Sequence, residues 1–330
     1  MLKTLQRTVA HYLGNLLIFA VLLAIYSFHG YFRNFLNGNT IAVFNFLFLA
    51  YLVLGLPYYL VRFHFFCTEA DYARDKLVVL FNFIFCRKRS PENRAAARTA
   101  ALSYLVKFFF LPLMLNFFFQ HFQNLHELWR TADPSQSFIS FFWQWGYDFI
   151  YQAIFLIDTV VFAFAYTFEF SFLRNRIKSV DPFVSGWVVA LICYPPFNSI
   201  MDNFIPLTRN FTLFENVWLV DSLKIAGLIA FLIYVWATLA LGFKASNLTN
   251  RGIVSYGPYR FVRHPAYIAK NLAWWFEFLP FLSLGTLLAL IGWNAIYILR
   301  ALTEERHLSA DPDYRRYAKK VRWRFIPGVI

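Results

Sequence analysis

Two stretches of this chain carry side chains able to do chemistry together. The first is Gly257-Pro258-Tyr259-Arg260-Phe261-Val262-Arg263-His264-Pro265-Ala266-Tyr267, and the second is Thr303-Glu304-Glu305-Arg306. They supply an imidazole, phenols, guanidiniums and a pair of carboxylates. Carboxylates accept from hydroxyls or from an ammonium, and a guanidinium fork matches a carboxylate or phosphate. The set suits a binding site for a polar cofactor. Two apolar stretches, Ala266–Leu282 and Leu284–Leu302, separate the two motifs. If these fold back as a transmembrane hairpin, the His-Pro end and the Glu-Glu end meet on one side of a bilayer.

The elements that must hold this pair are membrane helices. The chain is 59% hydrophobic and 22% aromatic, with 15% charged residues and a mean hydropathy of +0.48. Soluble domains carry roughly a quarter charged residues, so the composition excludes a soluble class. A span needs about 20 mostly apolar residues. Tyr12–Phe28, Thr40–Leu60, Ala101–Phe119, Phe149–Phe172, Phe183–Ile200, Leu223–Phe243, Ala266–Leu282 and Leu284–Leu302 qualify. Lys3 and Arg7 precede the first, but no small-residue cleavage pattern follows it, which predicts a retained helix and not a signal peptide.

The formal net charge is +13, and the excess has a location. Arg62, Arg74, Lys76, Arg87, Lys88, Arg89, Arg94 and Arg98 lie between spans two and three. Arg174, Arg176 and Lys178 follow span four; Arg251, Arg260 and Arg263 precede span seven. The tail adds Arg306, Arg315, Arg316, Lys319, Lys320, Arg322 and Arg324. Basic loops mark the cytosolic side, so both termini are expected there. Charges that flank apolar spans orient a chain and attract anionic headgroups; they do not make a nucleic-acid stripe. Cys67, Cys86 and Cys193 share no ligand spacing and imply neither a disulfide framework nor a metal site.

Local signals refine the elements. Ser90-Pro91-Glu92 starts a helix that runs on into span three. Tyr194-Pro195-Pro196 breaks span five near its end. Ser283-Leu284-Gly285 is the far turn of the hairpin. Asp311-Pro312-Asp313 starts a last helix that puts Tyr314, Tyr317 and Val321 on one face. Lys107, Asp148, Asp158, Glu169 and Glu277 fall in or beside spans, where ionisable groups are functional candidates or paired structural groups.

Taken singly, the motifs have bland readings. Glu304 and Glu305 could form a solvated helix end partnered by Arg300 and Arg306, and His264 could be a satisfied interfacial histidine. Their ordered occurrence with the Asp-Pro-Asp-Tyr helix and the closing Arg324-Phe325-Ile326-Pro327-Gly328 changes the balance. Together these four elements resemble the C-terminal half of the isoprenylcysteine carboxyl methyltransferases and the broader group of membrane methyltransferases that includes phospholipid methyltransferases. The resemblance covers residues 244–330 most strongly. The apolar runs and basic loops give an all-α, multi-pass transmembrane bundle of about eight spans, and the resemblance implies a cytosolic C-terminal cofactor site in it. Residues 1–180 are then N-terminal transmembrane helices of no recognised family, and 181–330 the methyltransferase core. The implied methyl donor is S-adenosylmethionine, with S-adenosylhomocysteine as product. By similarity, Tyr259, His264, Pro265, Tyr267 and Glu304 bind the cofactor. Arg263 and Glu305 hold the pocket together or orient the acceptor, and Arg263 or Arg324 holds an acceptor carboxylate. No metal is implied. The expected partners are membrane lipids and an amphiphilic acceptor from the bilayer, which makes this a lipid-modification enzyme. The style of the tail favours a bacterial inner membrane over the endoplasmic reticulum.

An acceptor that is already an anion, carboxylate or phosphate, needs no general base, whereas an amine lipid does. The chain offers many arginines and no dedicated base beyond His264 and the glutamates, which favours an anionic acceptor. A transporter would instead show internal repeats and midplane charge chains, and a non-catalytic scaffold would keep the spans without binding a donor.

Overall fold

A computed structural model of the chain describes residues 2–86, 90–170, 172–209, 212–214 and 216–329. Arg87, Lys88 and Arg89 of the basic loop, and the side chain of Lys3, lie outside that description. The chain is an all-α multi-pass bundle, and among the described residues six helices are long and apolar enough to cross a membrane. It divides into two compact units, Met1–Phe119 and Gln120–Ile330.

The first unit contains α1 (Leu2–Phe28), α2 (Gly38–Val61), α3 (Lys76–Ile84) and the first part of α4 (Pro91–Thr131). Asn37 caps α2 by accepting from the Thr40 amide, and its own amide donates to Asn116 Oδ1 at 2.7 Å. Tyr26, buried, donates to the Phe108 carbonyl at 2.8 Å. These buried polar groups thus have partners, as burial requires. The expected helix start is present, with Ser90 Oγ accepting from the Asn93 amide, and α4 continues past Pro112. Asp75 caps α3 and faces His11 at 3.2 Å and Arg62 at 3.3 Å. Burial pushes its carboxyl upward, but His11, Arg62 and the Leu77 amide prevail and hold it below the usual carboxylate range.

The second unit adds α5 (Tyr147–Thr167), β1 (Ser179–Val180), α6 (Val184–Leu191), α7 (Asn198–Phe204) and α8 (Val217–Leu241). It continues with β2 (Thr249–Asn250), α9 (Pro265–Phe278), α10 (Leu284–Leu308) and α11 (Pro312–Lys320). Its core is Ile154 from α5, Leu228, Phe231 and Tyr234 from α8, and Ala269 and Ala273 from α9. Small residues bring α8 close to α9: a Cβ on Gly227 would meet the Ala273 carbonyl at 3.5 Å. Asp158 of α5 accepts from Thr238 of α8 at 2.7 Å inside the bundle.

Two expected spans differ from expectation. Phe183–Ile200 is not one helix: α6 and α7 are short and turns separate them around Tyr194-Pro195-Pro196. Hydropathy counts apolar residues, whereas consecutive prolines remove the N–H groups a helix needs. The seventh is also short, since α9 gives way to a 3-10 turn at Leu279–Phe281, which contains Pro280.

The hairpin α9–α10 turns at Ser283, whose Oγ caps α10 through the Thr286 amide. At that end Leu213 N donates to the Pro280 carbonyl at 2.7 Å, and Arg209 lies 3.6 Å from Glu277. At the opposite end β1 pairs antiparallel with β2. There Ser179 Oγ meets His307 Nε2 at 2.9 Å, and Lys178 donates to Asp311 at 3.2 Å. The loop after α5, the loop after α8 and the start of α11 therefore share one end of this unit, the end bearing His264 and the glutamates.

Gly186 in α6 marks the tightest approach there. A Cβ at this position would lie 1.9 Å from Asp181 Oδ2. That carboxylate is buried, accepts from the Phe183 amide at 2.9 Å and pairs with Arg306 at 3.7 Å, so it is not free to swing. Gly186→Ala is expected to destabilise the protein by about 1–3 kcal/mol. Thermal unfolding in detergent followed by intrinsic fluorescence checks this; an unchanged midpoint would contradict it.

Candidate functional site

His264 precedes α9, and Pro265 occupies its first position, where a missing N–H costs nothing. The preceding turn, Gly257–Arg260, needs its glycine. Gly257 has φ +60°, and a Cβ would approach Ala240 Cβ to 3.2 Å. The tail lies along this segment: Arg263 N donates to the Trp323 carbonyl at 2.9 Å and His264 N to the Arg324 carbonyl at 3.0 Å.

Opposite, α10 presents its two glutamates in different directions, because successive helical residues point about 100° apart. Glu305, only 7% exposed, turns to the tail. It accepts from His264 Nε2 at 3.1 Å and from Arg324 Nε at 2.9 Å. Arg263 Nε stands 3.2 Å from the same carboxylate as an ion pair without hydrogen-bond alignment. Three basic groups thus converge on one buried carboxylate. Glu304 turns the other way and accepts from the Tyr267 hydroxyl at 2.7 Å. The His264 ring stacks on Tyr267, centroids 5.4 Å apart and planes 9° from parallel, joining the two clusters.

Beside Glu304 is a polar cavity of about 30 Å³, lined among others by Tyr267, Arg300, Asn247, Thr303 and His307. Arg300 is buried, 8% exposed. It donates to Asn247 Oδ1 and lies near the Tyr267 ring, 5.2 Å from its centroid. Asn247 in turn donates through Nδ2 to Tyr194 at 3.1 Å, and through its backbone N–H to Tyr166 at 2.8 Å. Arg306 leaves the glutamates for Ser185 at 3.1 Å and Asp181. Neither arginine expected as a local partner of the acidic pair fills that role in the structure.

Tyr259 sits elsewhere. It is buried under α11 with Tyr314, Tyr317 and Val321, and its carbonyl accepts from the Tyr317 hydroxyl at 2.7 Å. The face expected for α11 is the face it buries. Asp311 caps this helix through the Asp313 amide and also accepts from Asn250 at 2.8 Å. Burial raises its carboxyl, but the bonds from Asn250, the Asp313 amide and Lys178 outweigh that and hold it below the usual range. It is therefore an anion that pins β2 to α11.

The structure thus brings Arg263, His264, Pro265, Tyr267, Glu304, Glu305 and Arg324 to one end of the hairpin, and puts Tyr259 behind it. Sequence reasoning missed Asn247 and the inward turn of Arg300. An arginine inside an apolar run was a usable signal for the second; Asn247 had no local one.

The donor set on the cavity fits a cofactor carrying hydroxyls, an ammonium and a carboxylate: a carboxylate, a phenol, a guanidinium, an amide and a threonine hydroxyl. The space is that of a closed pocket. About 30 Å³ holds a water or two, whereas a small-molecule site takes roughly 300 Å³ or more, so side chains must move outward for a cofactor to enter.

No curated protein and no solved structure matches the chain. One family does, over a segment that begins in α8, earlier than the motifs suggested, and ends before α11 and the Arg324 tail. With the His-Pro step and the Glu-Glu pair both inside it, residues 222–311 match the family model described as phospholipid methyltransferase, the family that includes the isoprenylcysteine carboxyl methyltransferase-like membrane methyltransferases.

Proposed function

We propose that this chain is an integral membrane methyltransferase that uses S-adenosylmethionine and methylates a lipid-borne or amphiphilic acceptor reaching the site from the bilayer. The observation that carries this reading is the Glu304 carboxylate, held by the Tyr267 hydroxyl at 2.7 Å beside a polar cavity inside the matched segment. Glu304 and Tyr267 bind the donor's hydroxyls or ammonium. His264 and Pro265 fix the start of α9 against the tail, and Tyr259 backs that turn. When bound, the donor supplies a sulfonium methyl open to in-line displacement.

The chain's own contribution is then position and dryness. Glu305 holds Arg263, His264 and Arg324 together, which ties the tail over the rim. Arg324 is half-buried and gives Glu305 only its Nε. Its terminal nitrogens are left for an anionic acceptor, an isoprenylcysteine-like carboxylate or a lipid phosphate. Such an acceptor attacks without losing a proton, so no base is required of the site.

For the topology, the β1–β2 end carries the basic loops of the second unit, which supports a cytosolic site and cytosolic termini. Eight crossings then require α6–α7 and α9 to cross as short or broken segments. Residues 1–180 form the N-terminal helices and 181–330 the core, and a bacterial inner membrane suits the chain.

The acceptor class is tested by incubating the purified protein with methyl-labelled S-adenosylmethionine and a membrane lipid extract. Label is expected in an acidic lipid as an ester. Label in an amine headgroup would contradict the anionic acceptor, and absence of transfer despite donor binding would contradict an enzyme.

A further inference from the structure

A second cavity, about 480 Å³, opens at the β1–β2 end of the second unit. Its wall carries Arg174, Lys178, Lys244, Arg251, Arg316 and Lys320 against a single carboxylate, Asp313, and it shares no lining residue with the Glu304 pocket. Asp313 is taken by Arg316. Lys178 leans on Asp311 at 3.2 Å and on Asp313 at 3.7 Å. Arg174, Lys244 and Lys320 have no ion-pair partner among the described residues. A concave gathering of one sign focuses potential and draws counter-ions.

Arg251 makes the cavity a built site. It is 2% exposed, and its Nη1 donates to the Asn175 carbonyl at 3.0 Å. Nε and Nη2 have no hydrogen-bond partner and almost no accessible surface, although buried donors are almost always satisfied. These two nitrogens form one edge of the guanidinium, an edge that matches two oxygens of a phosphate once the side chains covering it give way to the ligand. Burial lowers the tendency of Arg251 to stay charged, and the Glu169 carboxylate acts the other way without bonding that edge. Gly252, at φ +98°, leaves room between the arms: a Cβ there would lie 3.5 Å from Lys244 Nζ and 3.9 Å from Lys178 Cε.

The surroundings indicate the source of the phosphate. Phe168, Phe170 and Phe172 stack in succession at 5.6 and 5.2 Å and lead to Arg174, with Phe172 78% exposed. Phe164 packs on Phe243 at 4.4 Å, next to Lys244. Exposed aromatic rings beside cations are the makeup of a membrane interface.

We propose that this cavity is a second ligand site, separate from the methyl-donor pocket, that holds the phosphate headgroup of an anionic membrane lipid, with Arg251 as its buried anchor and the aromatic ladder along the acyl chains. The site goes beyond the methyltransferase reading and does not rest on it.

The test uses the full chain in nanodiscs of phosphatidylcholine doped with phosphatidic acid, with retained lipid identified by native mass spectrometry. Arg251→Met risks misfolding, so the working variant is Lys244→Gln with Arg174→Gln, which leaves the Arg251–Asn175 bond in place. Its melting temperature in pure phosphatidylcholine, equal to that of the unaltered protein, establishes that it is folded. The unaltered protein is expected to retain phosphatidic acid selectively, and the double variant about tenfold less. Inorganic phosphate alone is expected neither to raise the melting temperature nor to displace the lipid. Equal retention by the two proteins, or no selectivity in the unaltered one, would overturn the site. Displacement by inorganic phosphate would overturn the lipid source and leave a soluble phosphate as ligand. No donor takes part, so failure here and failure of the methyltransferase reading are distinguishable.

Discussion

Glu304→Ala is expected to lower methyl transfer at limiting donor by at least about 100-fold while leaving the protein folded. The carboxylate is an accepting group on the polar cavity, and its removal also strands the Tyr267 hydroxyl, which now donates to it at 2.7 Å. A hydrogen bond to a charged group contributes about 1.5–3 kcal/mol, and a carboxylate offers the methyl donor two acceptor oxygens. Two such losses exceed the 2.7 kcal/mol or so that a 100-fold change represents, whereas the stranded Tyr267 hydroxyl is a cost in stability. Glu304→Gln keeps an acceptor for Tyr267 but loses the charge, so it should fall between the two. Rates measured with labelled donor across the three proteins check the order. Equal rates in all three would remove Glu304 from the site.

Glu305→Ala is expected to act on the fold instead. This carboxylate is buried, is the shared counter-charge of Arg263 and Arg324, and is hydrogen-bonded to His264. Removing one partner of a buried ion pair costs about 3–5 kcal/mol, because the remaining charge stays buried and unmatched. Arg324 is 38% exposed, so water screens it; Arg324→Gln should cost no more than about 1 kcal/mol in stability. The tail should loosen with Glu305→Ala, and the Arg263 and His264 amides, which donate to Trp323 and Arg324, should exchange faster with solvent. Chemical denaturation and hydrogen exchange in detergent measure both effects. A Glu305→Ala protein as stable as the unaltered one, with the two amides still protected, would contradict the network's structural role.

The contrast between these adjacent glutamates shows where sequence stops being legible. The hairpin was readable because its signals are local: proline at the first turn of α9, the turn at Ser283-Leu284-Gly285, a long apolar run after it. The helix at Pro312 was readable for the same reason. Which glutamate would face the cavity and which the tail was not, since α10 alone offers both directions and only α9 and the tail decide. Arg300 and Arg306 seemed natural partners for the acidic pair by spacing, yet Asn247 and Asp181, distant in sequence, claim them. Arg251 was legible only as one more positive charge in a loop; its burial depends on the loop around Asn175. The break in span five was legible, since Pro195 and Pro196 lack the N–H groups a helix needs; that it leaves two short helices was not.

The most direct test is a calorimetric titration of the detergent-purified full chain with S-adenosylmethionine, repeated with Glu304→Ala and His264→Ala. Saturable binding by the unaltered protein, lost or weakened at least about tenfold in Glu304→Ala and reduced in His264→Ala, is the result expected. Binding of equal strength in all three, or none by the unaltered protein, would contradict a methyl-donor site at the α9–α10 hairpin.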